Sequence, residues 1–154
     1  MKLLIIIPAY NEEQNIQQVV DNIIENFPQY DYIIVNDGST DGTLAVCEER
    51  GYHYINLPIN LGIGGAVQAG YRYAKEYNYD VAIQIDGDGQ HNIAYADEMI
   101  QMLAKNEADI VIGSRFIEKQ GFQSSGSRRT GIKILSTFIK LCTGTVSYTH
   151  LTLP

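Results

Sequence analysis

The sequence predicts an α/β fold in which helices cover both faces of a mostly parallel sheet. Three observations predict it. Short apolar runs alternate with segments in which apolar residues recur every three or four positions, as in a helix; the short runs are apolar throughout; and a polar cluster follows most of these runs. Strands buried on both faces lack polar alternation, as in parallel sheets covered by helices. The chain has 154 residues, of which 45% are hydrophobic, enough for one domain with a sizeable core.

Apolar spacing predicts the first strand and the helices. Leu3–Ile7 is an unbroken apolar run that Pro8 closes, as expected for a buried strand. Asn11 suits a helix cap, and apolar residues then recur at spacings of three and four until Pro28 stops the helix. Three more helices are predicted. The first runs from a Ser39 or Thr40 cap to Gly51, the second contains the apolar positions from Ala66 to Ala74, and the third contains those from Ala96 to Leu103.

The remaining strands are predicted from four further apolar runs, Tyr32–Val35, Tyr52–Leu57, Val81–Ile85 and Ile110–Ile112. In a parallel sheet, ligands bind in the crevice beyond the carboxyl ends of the strands. Four polar clusters lie at those ends: Pro8–Glu12, Asn36–Asp41, Asp86–His91 and Gly113–Arg115. Their coincidence at one edge predicts a binding site there.

Charge and composition exclude several classes of protein. The net charge of −7 argues against broad binding of nucleic acid. All 18 acidic residues lie at or before Glu118, so the acidic part could hold a metal and the basic part after it could meet phosphate. Cys47 and Cys142 lack the spacing of a zinc site or a disulfide scaffold, which indicates a reducing, cytoplasmic compartment. No apolar run has the length of a membrane span.

The cluster Asp86-Gly87-Asp88 places two carboxylates two positions apart at a strand end, so that both can point to the same side. Oxygen ligands at this spacing suit Mg²⁺ or Mn²⁺, which complete their shells with substrate phosphates. A plain Asp-Gly turn is the alternative. An EF-hand fits less well, because the sixth and twelfth positions, counted from Asp86, are His91 and Asp97.

Three further features could bind a nucleotide. Asp37 could accept hydrogen bonds from a base or a ribose, or belong to an ordinary strand-to-helix turn. Asn60–Gly65, with Gly65 as the candidate contact, resembles a phosphate-binding loop, yet it is neither a Walker A sequence nor a dinucleotide fingerprint. Arg115 could neutralise a diphosphate or pair with a helix end. No nucleophile stands out, so metal-assisted group transfer fits better than covalent catalysis.

Three motifs stand in order along the chain: Ile7–Glu13, Val35–Asp41 and Asp86–His91. Together they resemble family 2 glycosyltransferases of the GT-A fold, and within that family the polyprenyl-phosphate sugar transferases most of all. The resemblance covers about residues 1–144. It implies a Rossmann-like sheet, a nucleotide-sugar donor carrying UDP or GDP, a divalent metal, and inversion at the sugar carbon.

Matched motif by motif, the resemblance also implies roles for individual residues. The nucleobase pocket would be lined by Pro8, Ala9, Tyr10 and Glu12, with Asp37 binding the base or the ribose. The Mg²⁺ or Mn²⁺ ligands would be Asp86, Asp88 and Gln90, of which Asp88 is the most direct. The predicted catalytic residues are Asp88 and Arg115, and Arg128 or Arg129 would meet the diphosphate or the acceptor phosphate.

The end of the chain departs from the family pattern. We expect residues 1–144 to be a glycosyltransferase domain that is incomplete at its C-terminus, and residues 145–154 to be a non-native or frame-shifted tail. No carboxylate follows Glu118, and a phosphate acceptor, already mostly ionised at pH 7, needs no general base. This favours a lipid-phosphate acceptor at the cytoplasmic face of the membrane, where the protein would be peripheral. A base encoded downstream and lost is the alternative.

Other functions share parts of this pattern. A sugar nucleotidyltransferase would carry a glycine-rich loop with Arg and Lys after the first strand, where this chain has Pro8–Glu13. A haloacid-dehalogenase-like phosphatase would carry its aspartate pair after the first strand rather than the fourth. A nucleotide-sugar-binding fragment without turnover remains open, because its sequence would look the same as that of the enzyme.

Overall fold

The central strand of the sheet is β1 (Leu3–Ala9), and all seven of its residues are buried. The structure, a computed structural model, describes residues 1–87, 93–105 and 108–113. All of these except Gly113 belong to one unit, Met1–Ile112. Within this unit no described helix is both long enough and apolar enough to cross a membrane.

Strands and helices alternate along the chain as predicted. The other strands are β2 (Asp31–Asn36), β3 (Tyr54–Asn56) and β4 (Val81–Gln84). The helices are α1 (Ile16–Asn26), α2 (Thr43–Arg50), α3 (Gly62–Glu76) and α4 (Ala96–Ala104), the last preceded by a 3₁₀ turn over Ile93–Tyr95. The four predicted helices and the first four predicted strands are confirmed, with shifted boundaries.

The four strands form one parallel sheet in the order β3-β2-β1-β4. In β1, Ile6 lies opposite Ile33 of β2 on one side and Gln84 of β4 on the other. The winding of the chain therefore reverses between β1 and β4. In open α/β sheets such a reversal leaves a crevice beyond the strand ends in which ligands bind. The sheet order thus locates the candidate site before any side chain is considered.

Both faces of the sheet are covered, which explains why β1 is apolar at every position. Residues of β1 at odd positions pack with α1 and α2, while Leu4 and Ile6 pack on the opposite face with Ala66 and Ala74 of α3. The approach of α3 is close at Gly70, where an added Cβ would lie 2.4 Å from Cγ2 of Ile6. Glycine at position 70 therefore allows α3 to pack closely against β1.

We expect Gly70→Ala to lower the free energy of unfolding by about 1–3 kcal/mol, the usual cost of overpacking a core. Gly64→Ala in the same helix is the matched control, because an added Cβ there meets nothing within 4 Å. Alanine at position 64 should stabilise the helix by roughly 0.5–1 kcal/mol. Denaturant unfolding of both variants measures this difference, and equal stabilities would contradict the packing of α3 described above.

The fifth predicted strand is wrong. Residues 110–112 are described and form no strand, and the side chains of Ile110 and Ile112 are 75% and 69% exposed. A strand needs a hydrogen-bonded neighbour, and the described strands pair only among β1 to β4. Within the described ranges, this apolar run has no such neighbour.

Candidate nucleotide-binding site

A cavity of about 480 Å³ opens at the carboxyl edge of the sheet, where the loops after β1 and β4 approach each other. It is lined by Pro8, Ala9, Tyr10, Glu12, Asp37, Asn60, Gly62, Ile63, Ala66, Asp86 and Gly87. This volume is typical of sites for small molecules. Three of the four predicted polar clusters therefore contribute to one cavity.

Cavities of similar volume also lie elsewhere in the described part of the unit. One, of about 460 Å³, lies between α3 and the beginning of β4, and another, of about 400 Å³, lies along the polar face of α1. Neither is lined by a residue that the sequence marks as a candidate. The cavity at the carboxyl edge is the candidate site because it combines the topological switch point with the predicted residues.

Six predicted site residues line the cavity: Pro8, Ala9, Tyr10, Glu12, Asp37 and Asp86. Gly65, in the first turn of α3, is not among the lining residues, whereas Asn60, Gly62, Ile63 and Ala66 are. Sequence reasoning named the stretch Asn60–Gly65 but singled out only Gly65 within it as a contact. Five predicted residues lie outside the described part of the chain, as does the predicted tail at 145–154: Asp88, Gln90, Arg115, Arg128 and Arg129.

Asp37 is the most deeply buried carboxylate of the cavity, with 3% of its surface exposed. Its N–H donates to the carbonyl oxygen of Ala9 at 2.9 Å, and its Oδ1 accepts the N–H of Leu61 at 2.7 Å. Its Oδ2 has no hydrogen-bond partner among the described residues. A buried carboxylate oxygen needs a donor, so this atom is suited to an N–H or O–H group of a ligand.

Gly38 allows the loop before α3 to pack beside Asp37. Its φ of +64° lies in the left-handed region, and an added Cβ would lie 2.7 Å from the backbone nitrogen of Asn60. The same Cβ would lie 2.8 Å from the carbonyl carbon of Ile59. Only glycine meets both requirements at no cost. This contact places the N–H of Leu61 on the Asp37 carboxylate.

The loops after β1 and β2 are joined through Asn11. This residue has a φ of +58°, a conformation that asparagine tolerates better than most residues. Its N–H donates to Oγ of Ser39 at 3.0 Å, and its Oδ1 accepts the N–H of Thr40 at 2.9 Å. The bridge lies between Tyr10 and Glu12, so it supports one wall of the cavity.

The predicted helix caps are wrong, because the residues proposed as caps bind one another across the two loops instead. Asn11 does not cap α1, which begins at Ile16, because its side chain is used in the bridge to the next loop. Ser39 and Thr40 do not cap α2 either, since Gly42 holds that position. Short polar side chains bind whichever backbone groups the tertiary fold brings to them, and here the fold brings a neighbouring loop rather than a helix end.

Asp86 and Gly87 form the wall of the cavity that follows β4. Oδ1 of Asp86 accepts a hydrogen bond from Nε2 of Gln84 at 3.1 Å. A Cβ added at Gly87 would lie 3.3 Å from the carbonyl oxygen of Pro8 in β1 and 3.5 Å from Cγ of Glu12, so this loop passes close to the end of β1 and the loop after it. Asp86 is a hard oxygen donor at the cavity, which fits Mg²⁺ or Mn²⁺. Among the described residues alone, no group of three or more potential ligands could hold a metal.

Cys47 is unsuited to nucleophilic chemistry. It is fully buried in α2, and burial raises the pKa of its thiol to about 11. The thiolate is the nucleophilic form, so this cysteine is inert near pH 7. The other cysteine, Cys142, lies outside the described residues.

Asp41 supports the cavity through a network of hydrogen bonds at the start of α2. Burial alone would raise its pKa, but hydrogen bonds from the hydroxyl and N–H of Thr43 and from the N–H of Glu13 outweigh that effect. They hold the pKa below its ordinary value of 3.8. A carboxyl whose pKa is lower in the folded chain stabilises the fold above its unfolded pKa, and this contribution is lost as the pH falls through the folded pKa.

We therefore expect Asp41→Asn to lower the melting temperature at pH 7 and to have progressively less effect as the pH falls below 3.8. Thermal unfolding of both proteins across an acid pH series measures the difference between their melting temperatures. A difference that stays constant from pH 7 to pH 2 would show that the charge of Asp41 has no part in the stability of the loops.

The fold and the cavity define a doubly wound α/β domain with a candidate ligand site at its switch point. The sequence profile of glycosyl transferase family 2 matches residues 4–150, and the chain belongs to this family. The chain is 34% identical over 120 residues to the undecaprenyl-phosphate mannosyltransferase of Micrococcus luteus, an alignment that covers 75% of this chain and 49% of that protein. The resemblance noted from the motifs is confirmed.

A second relative agrees with this assignment, and two solved structures share the fold. The polyprenol monophosphomannose synthase of Mycolicibacterium smegmatis is 32% identical over 124 residues, covering 75% of this chain and 46% of that protein. The chain thus spans about half the length of these curated relatives. TarS of S. aureus in complex with UDP-GlcNAc superposes with a TM-score of 0.58 at 20% identity, covering 81% of this chain and 38% of that one.

The other structure is the glucosyl-3-phosphoglycerate synthase of M. tuberculosis in complex with Mn²⁺, UDP and glucosyl-3-phosphoglycerate. It superposes with a TM-score of 0.52 at 25% identity and covers 66% of this chain and 39% of that one. These likenesses confirm the predicted GT-A fold.

Proposed function

We propose that the protein transfers a sugar from a nucleotide diphosphate sugar to a polyprenyl phosphate, with the cavity at the carboxyl edge of the sheet as the donor site. The observation that carries the proposal is Asp37, a buried carboxylate that lines this cavity and has one oxygen without a hydrogen-bond partner in the described part of the chain. The names of the relatives support the acceptor class, since one acts on undecaprenyl phosphate.

The cavity suits the nucleoside part of such a donor. Oδ2 of Asp37 would accept an N–H of the base or an O–H of the ribose, while Oδ1 stays bound to Leu61. Tyr10, about half exposed at the mouth, presents a ring that can flank a base. Pro8 and Ala9 supply the apolar floor beside it. UDP and GDP both carry the N–H and O–H groups that Asp37 requires.

The predicted metal and phosphate ligands belong to the same proposal. Asp86, together with Asp88 and Gln90, would hold Mg²⁺ or Mn²⁺, and that ion would offset the charge that develops on the departing diphosphate. Arg115 and Arg128 or Arg129 would contact the diphosphate or the acceptor phosphate. The presence of Mn²⁺ in the structure of the M. tuberculosis synthase supports this part of the proposal.

Transfer would proceed by a single displacement. An oxygen of the acceptor phosphate forms a bond to the anomeric carbon as the bond to the nucleoside diphosphate breaks, which inverts that carbon. The acceptor is already ionised at pH 7, so no side chain has to remove a proton. A lipid acceptor would place the protein at the cytoplasmic surface of a membrane.

The test is a transfer assay with UDP- and GDP-sugars labelled in the sugar, Mn²⁺, and vesicles that contain undecaprenyl phosphate. We expect label to enter the lipid fraction, with an alkali- and acid-sensitivity typical of a sugar phosphodiester, and Asp88→Asn to abolish it. Donor binding without any lipid-linked product would favour a binding fragment. Formation of a nucleotide sugar from a sugar 1-phosphate and a nucleoside triphosphate would favour a nucleotidyltransferase.

A further inference from the structure

We propose that Asp41 and Thr43 are positioning residues for donor binding, which hold the Tyr10–Glu12 wall of the cavity without touching the ligand. The inference rests on the proposed function, because it requires a nucleotide in this cavity. Neither residue lines the cavity, and Thr43 is fully buried. Their influence on the ligand must therefore pass through the wall.

The hydroxyl of Thr43 connects the Asp41 carboxylate to the main chain of the wall. Oγ1 accepts the N–H of Glu12 at 2.8 Å and donates its own hydrogen to Oδ1 of Asp41 at 2.5 Å. A hydroxyl carries one hydrogen, so the carboxylate fixes its direction and leaves a lone pair for Glu12. Serine or threonine can perform both tasks in this position, whereas valine, which has the same shape, can perform neither.

A second connection runs in parallel through Glu13. Oδ2 of Asp41 accepts the N–H of Glu13 at 3.2 Å, and Oε2 of Glu13 accepts the N–H of Gly42 at 2.7 Å. Oδ1 of Asp41 also accepts the N–H of Thr43 at 3.0 Å. Hydrogen bonds to an ionised group are about twice as strong as neutral ones. The start of α2 thus holds two consecutive amides of the β1–α1 loop.

The held segment is the part of that loop that faces the cavity. Tyr10 and Glu12 line the cavity, and the carbonyl oxygen of Glu12 accepts the N–H of Ile16, where α1 begins. Glu12 is thus held by Thr43 through its N–H and by the start of α1 through its carbonyl oxygen. Displacing Glu12 would therefore shift this wall of the cavity. Misplacement by about 1 Å is enough to weaken a site that depends on fixed geometry.

The experiment compares Thr43→Val with Thr43→Ser, which restores the hydroxyl. The readouts are the dissociation constant of whichever of UDP and GDP the wild type binds, and the hydrogen exchange of the Glu12 amide. We expect Thr43→Val to weaken binding by at least about tenfold and to speed exchange, and Thr43→Ser to stay within about threefold of the wild type. Cys47→Ala is the control for lost stability, because Cys47 is buried one turn further along α2 and has none of these hydrogen bonds.

Equal affinities of wild type and Thr43→Val would overturn the inference while leaving the donor site intact. An equal loss in Cys47→Ala would also overturn it, since binding would then follow stability rather than the position of the wall. A folded wild type that binds neither nucleotide would overturn the proposed donor site and this inference with it. Should Thr43→Val not fold, Asp41→Asn provides the same comparison, and unchanged binding in that variant would overturn the inference.

Discussion

Replacing Asp37 by asparagine is expected to weaken nucleotide binding by about tenfold to a hundredfold, the usual cost of losing a hydrogen bond to a charged group. The carboxylate is 97% buried, its Oδ1 accepts the N–H of Leu61, and its Oδ2 has no hydrogen-bond partner among the described residues. An amide of the same shape carries no charge and offers only one acceptor. It cannot serve both partners, so either the loop or the ligand loses its hydrogen bond. Calorimetric titration of the nucleotide into each protein measures the change.

The matched control for this prediction is Asp31→Asn. Asp31 begins β2, the strand that Asp37 follows, so it lies at the amino ends of the strands, away from the cavity. There it accepts a hydrogen bond from the hydroxyl of Tyr79 at 2.9 Å. The net charge changes equally in both variants, so a general electrostatic effect would weaken binding equally. A loss confined to Asp37→Asn supports the site, whereas equal affinities in the two variants would contradict the role of Asp37.

Replacing Gly38 by alanine is expected to destabilise the fold by about 2–4 kcal/mol and to weaken nucleotide binding as well. Alanine there has to adopt a φ of +64°, and its Cβ would lie 2.7 Å from the backbone nitrogen of Asn60. Backbone on both sides of the contact leaves no flexible side chain to move aside. The loop that carries Leu61 must retreat, which removes the N–H that Asp37 accepts.

Gly51→Ala separates the two causes of this effect. Gly51 has a φ of +66° at the end of α2, and an added Cβ there meets nothing within 4 Å. We expect it to cost only the conformational part, about 1–2 kcal/mol, and to leave nucleotide binding unchanged. Denaturant unfolding and titration of both variants give the comparison. Equal losses of stability in the two variants would show that the clash between the added Cβ at position 38 and the backbone of Asn60 does not destabilise the fold.

The parts of the fold that follow from local chemistry are predictable from the sequence. Leu3–Ile7 is apolar at every position because its odd and even residues face different helices, and that pattern alone indicates a doubly covered strand. Asp37 and Asp86 follow directly on strand runs, and parallel strands bring their ends to one edge. These two residues of the cavity could therefore be named before their distances were known.

The parts that depend on tertiary neighbours are not predictable in this way. Asn11 looks like a helix cap, but in the fold its side chain meets the N–H of Thr40 from the next loop. Ile110 and Ile112 look like strand residues, but pairing needs a neighbour that the run itself does not specify. The hydroxyl of Thr43 acquires its role only because Glu12, 31 positions away in the sequence, lies beside it.

The central claim is that the cavity at the carboxyl edge of the sheet binds the nucleotide of a sugar donor together with a divalent metal. The most direct test is calorimetric titration of UDP, and separately of GDP, into the wild-type chain with and without Mn²⁺. We predict that one nucleotide binds and that Mn²⁺ strengthens its binding. A chain that unfolds cooperatively, and is therefore folded, yet binds neither nucleotide with or without Mn²⁺ would contradict the claim.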